Sequence, residues 1–346
     1  MAKTDLKSMA LDELEDLLVG MGEQKFRAKQ IFQWLHEKRV CSFDEMTNLS
    51  KGLREKLAET TKISDVKIIE KLESQKDGTS KYLFALDNDN VIESVLMRYS
   101  YGNAVCVSTQ AGCRMGCAFC ASTLNGLEYN LLAGEMLSQV YKIQEDIGER
   151  VSSIVLMGSG EPLDNYDNVI KFIKLVNSNN GIGIGQRHIT LSTCGLADGI
   201  DRLREEDLQI TLAISLHAPN NEIRNRIMPI SKKYNMERLL TACKNYSDYT
   251  KRRITFEYAM IRGVNDSREN AEELAGKLKN MLCHVNLIPV NDVKERNFVK
   301  SNEETIQNFA SVLNSKGIET TIRRKLGSDI NAACGQLRRG YLNNRR

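Results

Sequence analysis

Three cysteines close together, in Cys113-Arg-Met-Gly-Cys117-Ala-Phe-Cys120, are the residues of this chain best suited to chemistry. Three thiolates at this spacing can grip one face of a metal centre. An iron–sulfur cube carries four irons, so one iron is left without a nearby cysteine. An open position is what a metal centre keeps when something other than protein must bind there. The alternative is a zinc site with its fourth ligand elsewhere, since soft thiolates hold either metal. Zinc motifs usually pair two close couples of ligands, and no second couple is present.

Other residues have chemical potential of a weaker kind. Gly158-Ser-Gly-Glu161-Pro lacks the lysine of a phosphate loop and the order of a dinucleotide fingerprint. Backbone at Gly160 can approach a ligand closely, and Glu161 offers a charge for an ammonium group. Cys334 lies between Gly327 and Gly335, beyond the last strand candidate, where the chain is able to move. The pattern alone reads Cys41, Cys194, Cys243 and Cys283 as small buried hydrophobes. Ser192, the Ser215-Leu216-His217 segment and Asn291 read as ordinary residues at strand ends. Glu93 sits in an alternating strand, where a glutamate is ordinarily the solvent-facing member.

The CX3CX2C signature with Phe119 before Cys120 resembles the radical S-adenosylmethionine (SAM) enzymes, in which SAM chelates the fourth iron of a [4Fe–4S] cluster. The surrounding words, Cys106-Val-Ser-Thr-Gln-Ala-Gly-Cys113, Gly158-Ser-Gly-Glu-Pro-Leu163 and Ala332-Ala-Cys334-Gly-Gln-Leu337, resemble one subfamily, the RlmN and Cfr RNA adenine methyltransferases. Thr190-Leu-Ser-Thr-Cys-Gly and Ala213-Ile-Ser-Leu-His-Ala-Pro look more like RlmN. The resemblance implies that Cys113, Cys117 and Cys120 hold the cluster, and that Gly160, Glu161, Ser192, Ser215, Leu216, His217 and Asn291 contact SAM. It marks Cys334 as the cysteine that carries a methyl group, Cys106 as its partner thiol and Glu93 as a proton acceptor.

The implied activity is formation of 2-methyladenosine at adenosine 2503 of 23S rRNA and at adenosine 37 of some tRNAs. Adenine C2 is not a nucleophile, so it cannot take a methyl group by polar displacement, and a carbon radical must be delivered to it. In the family's route one SAM methylates Cys334 and a second is cleaved reductively. The resulting radical activates the S-methyl group, whose methylene adds to the base. Glu93 then accepts a proton, and Cys106 attacks the Cys334 sulfur to release RNA and leave a transient disulfide. The competing expectations are a Cfr-type enzyme acting at C8, a zinc-stabilised RNA-binding protein without catalysis, and a radical SAM enzyme with an unrelated substrate and no dependence on Cys334.

Positioning these residues requires a scaffold, and the hydrophobic pattern supplies one. Residues 9–60 predict a helical unit, with helices over Met9–Met21, Phe26–Lys38 and Phe43–Ala58. Its only tryptophan, Trp34, reads as core packing, and Lys25, Arg27 and Lys29 flank it. Alternating strands follow over Val66–Leu72, Lys81–Leu86 and Val91–Met97, as a β extension. Six strand-then-helix units come next, with strands at 103–108, 152–157, 187–192, 209–216, 254–260 and 283–288. Helices are expected near 133–147, 165–177, 197–206, 235–247, 267–280 and 302–315, and a last edge strand at Ile318–Arg323. The expected fold is α/β, an open (βα)6 radical SAM barrel with a small N-terminal helical accessory domain. The divisions are 1–60 helical and RNA-contacting, 61–100 β extension, 101–325 core and 326–346 mobile tail. The motifs fall at the carboxyl ends of the parallel strands, where such barrels bind ligands.

Composition fits this picture. The chain has 346 residues, 41% hydrophobic and 27% charged, ordinary values for a globular protein. No signal-like or membrane-spanning apolar run is present, so a cytoplasmic location is expected, in which cysteines serve as ligands or catalysts. The net charge of +3 gives no strong global attraction to nucleic acid, but Arg323-Arg-Lys325 and Arg338-Arg339 flank Cys334. The partners implied are 23S rRNA, tRNA and an electron donor such as flavodoxin or ferredoxin, with the protein acting as a monomer and without a membrane.

Overall fold

The computed structural model describes residues 3–290 and 298–330 together with Arg338 and Tyr341. Asn291 and Cys334 lie outside the described residues. The chain begins with strand β1 (Thr4–Asp5), followed by helices α1 (Leu11–Gly20), α2 (Phe26–His36) and α3 (Lys51–Thr60). Strand β2 (Thr61–Lys62) pairs in parallel with β1 and so closes this unit on itself. The third helix starts later than its hydrophobic spacing predicts. Phe43–Glu45 make one tight turn, and Ser50 then caps α3 by accepting the Leu53 N–H at 3.3 Å. Thr47, Asn48 and Ser50 are residue types whose side chains compete with helical backbone bonding, and here Asn48 accepts from Trp34 Nε1. Leu14, Leu18, Ile31, Phe32, Leu53 and Leu57 bury the apolar faces of the three helices. Trp34 is half-buried and packs against the core as expected, with the Lys38 ammonium 3.6 Å from its ring centre.

Strands β3 (Val66–Glu73), β4 (Ser80–Leu86), β5 (Val91–Tyr99) and β6 (Gly102–Cys106) form an antiparallel meander. A small hairpin of β7 (Gln110–Gly112) and β8 (Leu127–Asn130) encloses the cysteine loop. After it come α4 (Ala133–Ile147), β9 (Val151–Leu156), α5 (Tyr166–Asn177), β10 (Ile189–Thr193), α6 (Ala197–Arg204) and β11 (Thr211–Ser215). The chain continues through α7 (Asn221–Ile227), α8 (Met236–Thr250), β12 (Ile254–Met260), α9 (Arg268–Leu278), β13 (Cys283–Pro289), α10 (Glu303–Ser315) and β14 (Thr320–Ile322). The hairpin and α7 have no counterpart in the sequence reading.

Among the described residues one ten-stranded sheet runs in the order β14-β13-β12-β11-β10-β9-β6-β5-β4-β3. From β6 to β14 all neighbours are parallel, as the strand–helix alternation predicts. The expected β extension is present as this meander, and it joins the core sheet through the β5–β6 pairing.

Side chains alternate between the two faces of each strand. Phe84, Ile92, Leu156, Leu191, Ile214, Phe256 and Leu287 pack into one apolar cluster with the helices. The alternate positions carry Glu93, Cys106, Ser192, Ser215, Glu257 and Asn286, which gives the sheet a chemically active inner face.

Candidate active site

The cysteine loop is fixed at both ends and from the side. Cys113 donates its N–H to Gly126 O at 2.9 Å, and Ala118 donates to Ile227 O at 2.8 Å. The Thr123 hydroxyl bridges Cys117 O and Cys120 O at 3.2 and 3.0 Å. Arg114 reaches across to Asp164 through Nε at 2.9 Å, which ties the loop to the segment after β9. Met115, Phe119, Met228 and Ile230 form an apolar shell with Cys117 and Cys194. Burial pushes the Cys113 thiol up to about 12 and moves Cys117 in the same direction, with the neighbouring thiols and Glu161 adding repulsion. Such thiols ionise readily only against a cationic centre.

The second wall is the turn after β9. Gly160 has φ +110°, and a Cβ there would stand 2.6 Å from Gln110 Cβ and 2.8 Å from Gln110 N. Only glycine permits this approach. Glu161 is 3% exposed. Its N–H donates to the Gln110 side chain at 2.7 Å, and its carboxylate accepts Leu163 N–H at 3.0 Å and Cys194 N–H at 2.7 Å. Desolvation nevertheless raises its pKa. A buried carboxylate oriented by backbone donors and still penalised for its charge is suited to an incoming cation.

The cavity between these walls measures about 300 Å³. Cys113, Cys117 and Cys120 line one side; Gly160, Glu161, Ser192, Ser215 and His217 line another. Eight residues singled out from sequence are thereby brought together. His217 holds left-handed backbone at φ +56°. Its Nδ1 accepts Ala259 N–H at 2.9 Å, which assigns the proton of the neutral ring to Nε2. Burial lowers its pKa to about 3, and its ring meets Phe119 edge-on at 4.9 Å. Leu216 points its side chain into the core, so it can serve a ligand only through its backbone.

Glu93 and Cys106 lie further along the same inner face. Glu93 is only 4% exposed, against the solvent-facing reading, and pairs with the fully buried Lys81 at 3.2 Å. Cys106 packs with Val95, Met97 and Ala104 and against Met157, which itself lines the cavity. Arg338 donates its backbone N–H to Glu93 Oε1, its Nε to Val91 O at 2.6 Å and its NH2 to Glu128 at 2.7 Å.

Two family models match the chain: the ribosomal RNA large subunit methyltransferase N-terminal domain over residues 4–63 and the radical SAM superfamily over residues 107–275. The chain is 58% identical over 340 residues to a probable dual-specificity RNA methyltransferase RlmN of Clostridium novyi, covering 98% of this chain and 99% of that one. A protein of the same description from Alkaliphilus oremlandii is 58% identical over 344 residues, covering 99% of this chain and 100% of that one. A crystal structure of a radical SAM methyltransferase from Sphaerobacter thermophilus superposes with a TM-score of 0.90 at 42% identity, covering 96% of this chain and 98% of that one. The chain belongs to the RlmN family of radical SAM RNA methyltransferases.

The cofactors of an RlmN enzyme are a [4Fe–4S] cluster and SAM. The donor set fits them. A cube carries its thiolates on separate irons, and three thiols spread along one wall of a cavity suit it.

Several residues of this RlmN site escaped the sequence reading. Glu257 and Arg323 line the cavity, and Asn286 donates to Glu257 at 2.8 Å. Burial raises the Glu257 pKa. The available signal was a glutamate inside Ile-Thr-Phe-Glu-Tyr, an apolar strand of a sheet covered on one face. Cys194, read as a buried hydrophobe, is buried but also lines the cavity. Cys41, read in the same way, is exposed near Lys142. Arg224 is fully buried and donates to Cys194 O at 2.7 Å and Leu216 O at 3.2 Å, joining the ends of β10 and β11.

Proposed function

We propose that this enzyme forms 2-methyladenosine at adenosine 2503 of 23S rRNA and at adenosine 37 of some tRNAs, with Cys334 as the methyl carrier. The observation that carries this reading is the placement of Glu93 and Cys106 on the inner face beside the cavity. Arg338, four positions after Cys334 in the chain, bonds to Glu93.

With the cluster and SAM bound, the site supplies a one-electron cleavage of SAM and hence a carbon-centred radical. Cys113, Cys117 and Cys120 hold the cluster. Gly160, Glu161, Ser192, Ser215, His217, the backbone of Leu216, and Asn291 hold SAM, with Glu161 facing its ammonium group. The apolar shell of Met115, Phe119 and Met228 keeps water from the reacting centre. Cys334 presents its S-methyl carbon to adenine C2, Glu93 accepts the C2 proton, and Cys106 attacks the Cys334 sulfur to release the RNA.

Residues 1–60 act as an RNA-contacting domain, 61–100 and 101–325 as the sheet that carries the chemistry, and 326–346 as the segment that presents Cys334. Exposed Phe26, with the Arg27 guanidinium 4.8 Å from its ring centre, offers a stacking surface on the first of these. Among the described residues no helix is long and apolar enough to cross a membrane. The proposal places the enzyme in the cytoplasm as a monomer that draws electrons from a flavodoxin or ferredoxin.

The test is anaerobic turnover with SAM, a strong reductant and an rRNA fragment, followed by mass spectrometry of the nucleosides. Formation of 2-methyladenosine supports the assignment. Formation of 8-methyladenosine alone overturns it in favour of the Cfr-type reaction.

A further inference from the structure

Glu93 has its two carboxylate oxygens held from opposite directions. Oε2 faces Lys81 Nζ at 3.2 Å, and Oε1 accepts the backbone N–H of Arg338. Lys81 lies on β4 and Glu93 on β5, with Leu83 directly opposite Glu93 in the register. Lys81 is thus one diagonal step away on the same face. Both strands are internal to the sheet, flanked by β3 and β6. Arg338 belongs to the C-terminal segment and also reaches Val91 and Glu128. One oxygen is therefore fixed from the sheet by Lys81 and the other by Arg338, four positions after Cys334 in the sequence.

A lysine with 0% exposure is uncommon and needs a charged partner, because an unpaired buried ammonium is strongly destabilising. Lys81 also has no solvent-facing task to perform. A general base must come within hydrogen-bonding distance of its proton, and a small misplacement of the reacting group is costly in rate.

Resting on the methyltransferase reading above, we infer that Lys81 is the positioning residue for Glu93. It anchors Oε2 so that Oε1, the oxygen facing Arg338, receives the proton from C2 of the RNA adduct. The proton passes from C2 to Oε1, and the electron pair of the broken C–H bond stays with the ring. Lys81 makes no contact with the substrate in this role.

The experiment is single anaerobic turnover of the methylated, cluster-loaded enzyme with an rRNA fragment. The readouts are 5′-deoxyadenosine, the covalent RNA–protein adduct on a denaturing gel, and released methylated RNA. For Lys81→Met, adduct formation is expected to stay within about twofold of the parent while release from the adduct slows about tenfold or more, as for Glu93→Gln. Parental release rates in Lys81→Met would overturn the assignment. So would a proportional loss of adduct and release, which marks a merely structural role.

A second measurement guards against misfolding and needs no cofactor. The double variant Lys81→Met/Glu93→Gln removes both charges and is expected to recover the urea midpoint lost in Lys81→Met. Additive losses in the double variant would count against the pairing. Failure of the parent and of Cys106→Ala to form any RNA adduct would instead refute the underlying methyltransferase reading, whatever Lys81 does.

Discussion

Glu93 and Cys106 share one face of two hydrogen-bonded strands, one diagonal step apart: Val95 is paired with Cys106 across β5 and β6, and Glu93 lies two residues before Val95. Diagonal neighbours of this kind are about 7–8 Å apart, close enough for a proton acceptor and a thiol to serve the same adduct. Next to them, Met157 both touches the Cys106 cluster and lines the cavity, which joins this pair to the cysteine loop.

From this relationship it follows that Cys106→Ala should stall after the base has been captured. Adduct is expected to accumulate, with released methylated RNA falling on the order of a hundredfold or more, since residues acting as a unit fail together. The measurement is a denaturing gel of single-turnover mixtures with labelled RNA. Normal release without trapped adduct would remove Cys106 from the mechanism.

Replacing one thiol of the loop tests the cluster directly. In Cys117→Ser the anaerobically purified protein should lose iron, sulfide and visible absorbance together. Its fold should survive, because Thr123, Arg114 and the β7–β8 hairpin hold the loop independently of metal. Iron and sulfide analysis alongside circular dichroism decides the point. Full iron occupancy in this variant would mean that Cys117 is not a ligand.

The sheet was largely legible because its signals are local and periodic. Apolar alternation located each long strand from β3 to β13, and the strand–helix rhythm predicted parallel pairing. The cysteine motif was readable because its chemistry lies in spacing along the chain, whereas the Gly160-Glu161 turn was weak as a bare pattern and gained meaning only from the family resemblance. What was not legible depends on which face of a strand is covered. Glu93 and Glu257 look like solvent-facing members of alternating strands, but they are buried at 4% and 5% exposure, Glu257 in the cavity wall and Glu93 between Lys81 and Arg338. Arg224 was missed because its burial depends on where the chain folds, and one of its acceptors, Cys194 O, is 30 residues away in sequence. The β7–β8 hairpin was missed because strands of three and four residues carry too little periodicity.

Arg224 is the residue to remove when asking how the strand ends are held. Its guanidinium is the donor for carbonyls at the ends of β10 and β11, and desolvation lowers its pKa. Arg224→Met keeps much of the volume but leaves those carbonyls without this donor. The expected cost is about 2–4 kcal/mol in unfolding free energy, combining lost hydrogen bonds with unsatisfied acceptors. SAM affinity should also weaken, because Ser192, Ser215 and His217 extend from the same two strand ends. Urea denaturation and equilibrium dialysis with SAM measure the two effects. Unchanged stability would show that water takes over the role of the guanidinium.

His36 provides a pH test remote from the cavity. It is 2% exposed in α2, with Nδ1 bonded to the Tyr141 hydroxyl at 2.9 Å and its ring 4.2 Å from that of Phe32. Burial, assisted by the nearby Lys7 ammonium, lowers its pKa to about 3. An unfolded histidine titrates near about 6.5, so between those values the unfolded chain binds a proton that the folded chain refuses. Stability is therefore fully present above pH ~6.5 and is lost as pH falls toward 3. His217 acts in the same direction, whereas the raised pKa values of Glu161 and Glu257 act oppositely, favouring the fold as they become protonated. A single-site variant isolates one contribution from this mixture. His36→Phe should reduce the loss of stability between pH 7 and pH 5 by about 2 kcal/mol relative to the parent. At pH 7 it should cost about 1 kcal/mol through the lost Tyr141 hydrogen bond. Urea midpoints at the two pH values give the comparison. An equal drop in variant and parent would mean that His36 takes up a proton in the folded state.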